Sequence, residues 1–268
     1  MKSIRGGMGL GDALYLQALV GHLLELWPRE SFEVCNRYPE VFAPLGERVR
    51  VSPFRRDRID VLGHYARRKG QHSRQWQDVC LEAGAPDSLE LRLTWRRTDA
   101  ELVRMVEQKA EGRPIVLVQL PRAPMGRTDG FGHELLPDCR KIQRQLDELA
   151  GRVFFVLVGS GYPLFRFRGI DLDLTEKTSV SQLIDLAEAS AGLIGYCSFF
   201  VPLAEGFKKP ALFAWSARGM RSATVYLRTI TPAKILERAS SFWFVDEGPL
   251  EESDHARKRF AISIGLEG

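Results

Sequence analysis

The stretch KSIRGGMGLGDALYLQALVGHLLELWP, residues 2–28, decides the fold. Lys2 to Arg5 read as a short strand, and the run Gly6-Gly7-Met8-Gly9-Leu10-Gly11-Asp12 then turns the chain. A helix follows, because Leu16, Leu19, Val20, Leu23, Leu24 and Trp27 recur at three- and four-residue spacing until Pro28 stops it. One face of this helix is expected to lie on a sheet. Strand, glycine loop and helix together are the building unit of an α/β protein.

Working outward, the same unit recurs. Short strands are expected at 32–35, 49–51 and 59–62, set apart by turn residues around Pro39 and Gly46, with a polar helix over 65–84. Past residue 95 the alternation is cleaner: helix 99–111, strand 115–118, a helix within 136–149, strand 153–158, helix 181–189, strand 192–195, helix 199–207 and strand 211–214. A strand at 242–245 and a charged helix over 250–262 complete the chain. Strands that are apolar throughout, alternating with amphipathic helices, predict parallel sheets covered on both faces. The Arg-rich stretch 92–112 joins the two halves and contains a helix, not a Gly/Ser linker. A boundary near residue 108 gives two Rossmann-like domains, 1–108 and 109–268, facing across a cleft, with the final helix expected to pack back on the first.

Composition narrows the class. The 268 residues are 44% hydrophobic and 27% charged, with 24 Gly and 14 Pro, the balance of a globular chain and not of a disordered, collagenous or coiled-coil one. The apolar runs at 153–161 and 211–215 fall far short of the roughly 20 residues that span a bilayer. The N-terminus has no apolar leader, so a cytoplasmic protein is expected. Four cysteines without a C-x-x-C, and five histidines never at ligand spacing, argue against a metal site or a disulfide framework. The net charge of +4 rests mostly on arginine, 29 of the 38 basic residues, which suits bidentate contact with phosphate. A charge of this size does not by itself establish nucleic-acid binding.

In parallel α/β sheets ligands sit outside the carboxyl ends of the strands, so the loops after Arg5, Val118, Val158, Gly195 and Ala214 carry the chemistry. The first loop is not G-x-G-x-x-G, no acid follows the second strand, where Cys35-Asn36-Arg37 stands, and no Gly-Lys-Ser/Thr is present. A dinucleotide cofactor and a Walker loop are therefore not expected. Asp12 has two readings: a helix cap, or a general base facing the cleft beside Gly9 and Gly11. His64, just after a strand end, joins them as a candidate on the same side. In the second half, Arg122 and Arg127 can clamp a diphosphate or simply be solvated, and Gly159 and Gly161 follow a buried strand. Ser198 can donate to an anion at a helix start or cap that helix. Glu205, unfavourably placed for the helix dipole, can accept from ribose hydroxyls or be merely exposed. Asp171-Leu172-Asp173 superficially matches a metal-binding D-x-D, but an alternating Ile170–Leu174 stretch reads better as a short strand.

With these loops in place, nearly the whole chain resembles the ADP-heptose:lipopolysaccharide heptosyltransferases, glycosyltransferase family 9, of GT-B fold. Gly9-Leu10-Gly11-Asp12-Ala13-Leu14 looks like the family's Gly-x-Gly-Asp-x-Leu opening. Residues 172–184, LDLTEKTSVSQLI, are similar to its Asp-Leu-Thr-Gly-Lys-Thr-Ser-Leu segment. Residues 191–195 through 203–210 look like its donor-binding strand and helix. Where the family reads Asp-Thr-Gly and then His, this chain has Cys197-Ser198-Phe199 and Pro202. The resemblance implies a metal-independent inverting transfer from a nucleotide-diphosphate sugar, a co-substrate and not a cofactor, to an acceptor hydroxyl. It implies Asp12 as base, and together with the reading of the loops it gives Gly9, Gly11 and His64 on the acceptor side and Arg122, Arg127, Gly159, Gly161, Ser198 and Glu205 around the donor. The alternatives are a non-catalytic nucleotide- or polyanion-binding protein of the same fold, or a transferase whose acceptor is modified nucleic acid.

Overall fold

The computed structural model describes residues 2–6, 9–53, 75–86, 88–122, 135–221 and 241–266. The opening unit forms as expected: strand β1 (Lys2–Arg5) leads into helix α1 (Leu10–Leu26). It continues through β2 (Phe32–Cys35), a short α2 (Pro39–Phe42) and β3 (Val49–Ser52). These three strands form a parallel sheet in the order β1-β2-β3. Of the polar helix expected over 65–84, the described part is α3 (Gln75–Glu82). The strand expected at 59–62 lies outside the described residues.

The second half contains α4 (Ala100–Ala110), β4 (Ile115–Gln119), α5 (Cys139–Leu149), β5 (Phe154–Val158), β6 (Leu172–Asp173), α6 (Val180–Ala189) and β7 (Gly192–Tyr196). It ends with α7 (Phe200–Gly206), β8 (Ala211–Trp215), α8 (Ala217–Met220), β9 (Ser241–Val245) and α9 (Leu250–Ser263). All six strands are parallel, in the order β6-β5-β4-β7-β8-β9. Numbered within the sheet this is 3-2-1-4-5-6, the doubly wound order whose direction reverses between β4 and β7.

Period-two alternation divides this sheet between two cores. Leu117, Phe154, Val156, Leu193, Phe213 and Trp215 face one core, and Val116, Val118, Phe155, Ile194, Leu212 and Ala214 face the other. The first core is shared with the N-terminal half: it is continuous from Ile4, Leu16 and Phe32 to Leu193 and Phe213. Helix α1 is accordingly buried on all sides from Ala13 to Val20, not on the single face that its spacing suggests, because α7, α2 and α3 cover what the sheet leaves. The second core holds Ala256, Phe260 and Ala261 of α9. Among the described residues the final helix, expected to pack back on the first half, packs on β8, β9 and α5 of the second. It covers the far face of its own sheet, and a Cβ on Gly192 would lie 2.9 Å from the Phe260 ring, so only glycine allows so close an approach.

Between the halves runs an extended strap, residues 88–98, bonded to both. On the N-terminal side, Trp76 Nε1 donates to Leu89 O at 2.6 Å, His22 Nε2 pairs with Glu90 O at 2.7 Å, and the Gln17 amide bonds both main-chain groups of Thr94. On the C-terminal side the anchor is Asp185, a carboxylate with no exposed surface on α6. It accepts from Trp95 Nε1 (2.7 Å), Thr98 Oγ1 (2.7 Å), Thr98 N (3.0 Å) and Asp99 N (2.7 Å). Asp99 then starts α4 by accepting from Leu102 N at 2.9 Å. Residue 108, the expected boundary, falls inside α4, which packs on α6 and β4 of the second half.

Replacing Asp185 by Ala strands the buried donors of Trp95, Thr98 and Asp99, and should lower unfolding free energy by about 3 kcal/mol. A urea titration reads this as a lower midpoint at unchanged slope. A loss below about 1 kcal/mol would contradict the assigned role of Asp185.

Candidate functional site

The reversal point of the six-stranded sheet lies between the carboxyl ends of β4 and β7, where a crevice for ligand is expected. Gln119 ends β4, and its buried side chain accepts from Tyr196 N at 3.3 Å. The Tyr196 hydroxyl donates to Leu120 O at 3.4 Å, which ties the two strand ends together. Burial pushes the Tyr196 phenol up to about 12 against the opposing pull of Arg122, so it stays a neutral donor. Neither Gln119 nor Tyr196 stood out as a site residue in the sequence, although a glutamine closing the apolar run 115–118 is a readable signal.

Directly opposite stands the glycine loop of the first half. A Cβ on Gly11 would lie 3.3 Å from Phe199 Cα, so the start of α1 touches the segment after β7. The structure thus brings Gly11, flanked in sequence by Gly9 and Asp12, against Phe199, the residue after Ser198. Asp12 sits at the third position of α1, where Oδ2 accepts from Gly9 N at 3.0 Å, and the residue is partly exposed. It performs the capping role while remaining at the junction. Ser198 Oγ accepts from Phe200 N at 3.4 Å, a weak cap on the seven-residue α7. Burial raises the Cys197 thiol to about 12, which removes it as a nucleophile.

The loops after β4, β5 and β6 are stitched into one mouth. Arg122, exposed, donates from Nη1 to Ser160 O at 3.1 Å and Ser160 Oγ at 3.3 Å. Leu164 N donates to Pro121 O at 2.8 Å. Gly159 has φ +137°, and a Cβ there would lie 2.9 Å from Leu120 Cβ. Gly161 has φ +100° and donates its N–H to Glu176 Oε1. Both glycines shape the mouth. Glu205 is buried at 7% exposure on α7, away from the exposed rim its sequence position suggests. Arg127 and His64 lie outside the described residues.

The D-x-D carboxylates are engaged elsewhere. Asp171 takes Arg113 at 3.0 Å and Phe155 N at 2.8 Å, while Asp173 takes Thr175 N at 2.8 Å. Among the described residues no group of three or more His, Cys, Asp or Glu is placed to hold a metal ion, and no helix is long and apolar enough to cross a membrane.

The sequence matches no family model, and no curated protein is significantly similar to it. The fold does have solved counterparts. Escherichia coli heptosyltransferase WaaC with ADP-2-deoxy-2-fluoro heptose superposes at a TM-score of 0.56 and 12% identity, covering 98% of this chain and 99% of that one. A glycosyltransferase family 9 protein from Veillonella parvula gives 0.55 at 10% identity, with 98% and 97% covered. E. coli ADP-heptose lipopolysaccharide heptosyltransferase II gives 0.51 at 13%, with 96% and 98% covered. The likeness is one of fold, the two-part α/β architecture of GT-B proteins.

Two consequences are measurable. Gly159→Ala combines a strained φ with a clash on Leu120 and should cost about 2 kcal/mol in a urea titration, whereas an unchanged midpoint would contradict this geometry. Tyr196 and Cys139 are both pushed to about 12, chiefly by burial, from ordinary values of 10.0 and 9.0. Their neutral forms favour the fold. That stability is fully present below about pH 9 and is lost as pH rises toward about 12. The urea midpoint should therefore fall across this window, and less steeply in Tyr196→Phe.

Proposed function

We propose that the protein is a metal-independent, inverting glycosyltransferase that moves a sugar from a nucleotide-diphosphate donor to an acceptor hydroxyl. The observation that supports this reading is the contact of Gly11, the residue before Asp12, with Phe199, which follows β7 at the reversal point of a 3-2-1-4-5-6 sheet. The E. coli protein of the same fold was solved with ADP-2-deoxy-2-fluoro heptose and with ADP, which supports a nucleotide-diphosphate sugar as donor class.

In a single displacement, the acceptor oxygen attacks the anomeric carbon as the bond from that carbon to the diphosphate oxygen breaks. Asp12 takes the acceptor's proton. Its bond to Gly9 N holds one carboxylate oxygen, which fixes the direction of the other. Charge develops on the departing diphosphate at the opposite side of the junction. Arg122 or Arg127 and the amides near Ser198 meet that charge, the role a metal ion has in other transferases. The N-terminal half then carries the acceptor and the C-terminal half the donor, with a carbohydrate or another hydroxyl compound as acceptor.

One observation favours a second reading, a non-catalytic nucleotide- or polyanion-binding protein: Asp12 already serves as a helix cap, and Phe199 fills the space against Gly11. Transfer or hydrolysis of any sugar nucleotide overturns that alternative.

Asp12→Asn keeps an oxygen for Gly9 N and removes the base. Turnover should be abolished while nucleotide affinity is unchanged, and full activity would refute the assignment. Donor class is read by thermal shift against a panel of nucleotide sugars, where ligand at 100 times its dissociation constant stabilises by about 2.7 kcal/mol.

A further inference from the structure

We propose that Glu176 recognises the ribose of the donor's nucleotide: its carboxylate, fixed at the mouth of the second sheet, accepts hydrogen bonds from the ribose hydroxyls. This rests on the nucleotide-sugar reading above and names a determinant within it.

The first observation is conformational. Glu176 has φ +59°, a left-handed backbone that favours glycine and costs a side-chain-bearing residue about 1 kcal/mol. The surrounding bonds hold it there. Glu176 N–H donates to Gly159 O at 3.0 Å, and Oε1 accepts from Gly161 N–H, so main chain and side chain grip the same loop. The residue is exposed, and its second carboxylate oxygen takes no hydrogen bond from the described residues.

The second observation is topological. In nucleotide-binding sheets of this strand order, the acid that receives the ribose comes from the end of the sheet's second strand. Here that strand is β5, and it ends in Gly159-Ser160-Gly161, with no acid. The neighbouring strand β6 supplies one. Glu176 reaches across from beyond its end and holds Gly161. On the other side of the same loop, toward the reversal point, Arg122 holds Ser160. A guanidinium and a carboxylate thus flank one three-residue loop. The cation lies on the side where the diphosphate is expected, and the carboxylate lies one strand further out. A carboxylate repels phosphate and accepts from hydroxyls, so at that position it reads a diol. Glu205, the sequence candidate for this task, is buried.

The test uses the full chain and titration calorimetry with ADP, GDP, UDP and CDP, followed by the 2′-deoxy and 3′-deoxy forms of the tightest binder. Wild type should bind the ribose form about tenfold better than a deoxy form, the scale of one charge-assisted hydrogen bond. Glu176→Gln keeps an acceptor for Gly161, and Glu176→Gly suits the left-handed φ, so both should retain the wild-type Tm. Both should also lose the preference to within about twofold. Equal wild-type affinity for ribose and deoxy forms, or an undiminished preference in Glu176→Gly, overturns the assignment alone. Failure of all four diphosphates to bind overturns the donor reading and this inference with it.

Discussion

The relation between the two halves depends on one buried carboxylate. Asp185 has lost its water, and an isolated ionised group in that position would be strongly unfavourable. What offsets the loss is a set of donors drawn from a single short segment: the Trp95 indole, the Thr98 hydroxyl and amide, and the Asp99 amide. Because all belong to the end of the strap or to Asp99 directly after it, the strap has one position relative to α6. Its other end is bonded to α1 through Gln17 and to α3 through Trp76, so fixing the strap fixes the first sheet against the second. The Gly11–Phe199 contact, and with it the placement of Asp12, follows from that registration.

Much of this was legible in the sequence for a specific reason. Parallel strands buried on both faces leave a continuous apolar run, and 115–118, 153–158, 192–195 and 211–214 each appear as strands within a residue or two of expectation. The glycine loop was equally plain, since Gly9 and Asp12 begin α1 as a capping pair. What periodicity cannot encode is which neighbour a face will meet. Spacing predicted one buried face for α1, yet the shared core surrounds it. The sequence also predicted a charged final helix packing back on the first half, yet that helix shares a core with Val116, Val118 and Phe155, which alternate toward the far side of the second sheet.

The polar residues divide on the same principle. Asp185 falls among Leu183, Ile184, Leu186 and Ala187, all buried, so an acid on an apolar face was a visible signal of a satisfied core carboxylate. Glu205 carried the same signal within Phe200–Gly206, which is buried throughout, and reading it as a rim residue gave too much weight to the helix dipole. Glu176 gave no signal, because its importance lies in a left-handed φ and a partner 15 residues away, neither of which leaves a mark on spacing.

A continuous core has a mechanical consequence. Swinging the halves apart would expose Leu91, Leu93, Phe200 and Leu203, which pack between them, and would strip the Leu93 side chain from the space that Gly206 leaves open. Hinge closure over a donor is therefore opposed by the same burial that fixes the registration. Changes on ligand binding are cheaper at the exposed Arg122–Ser160 bond and the weak Ser198–Phe200 bond than between the halves. The main chain of the mouth, with its glycines at φ +137° and +100°, belongs to the fixed second half, and specificity rests on which side chains surround it.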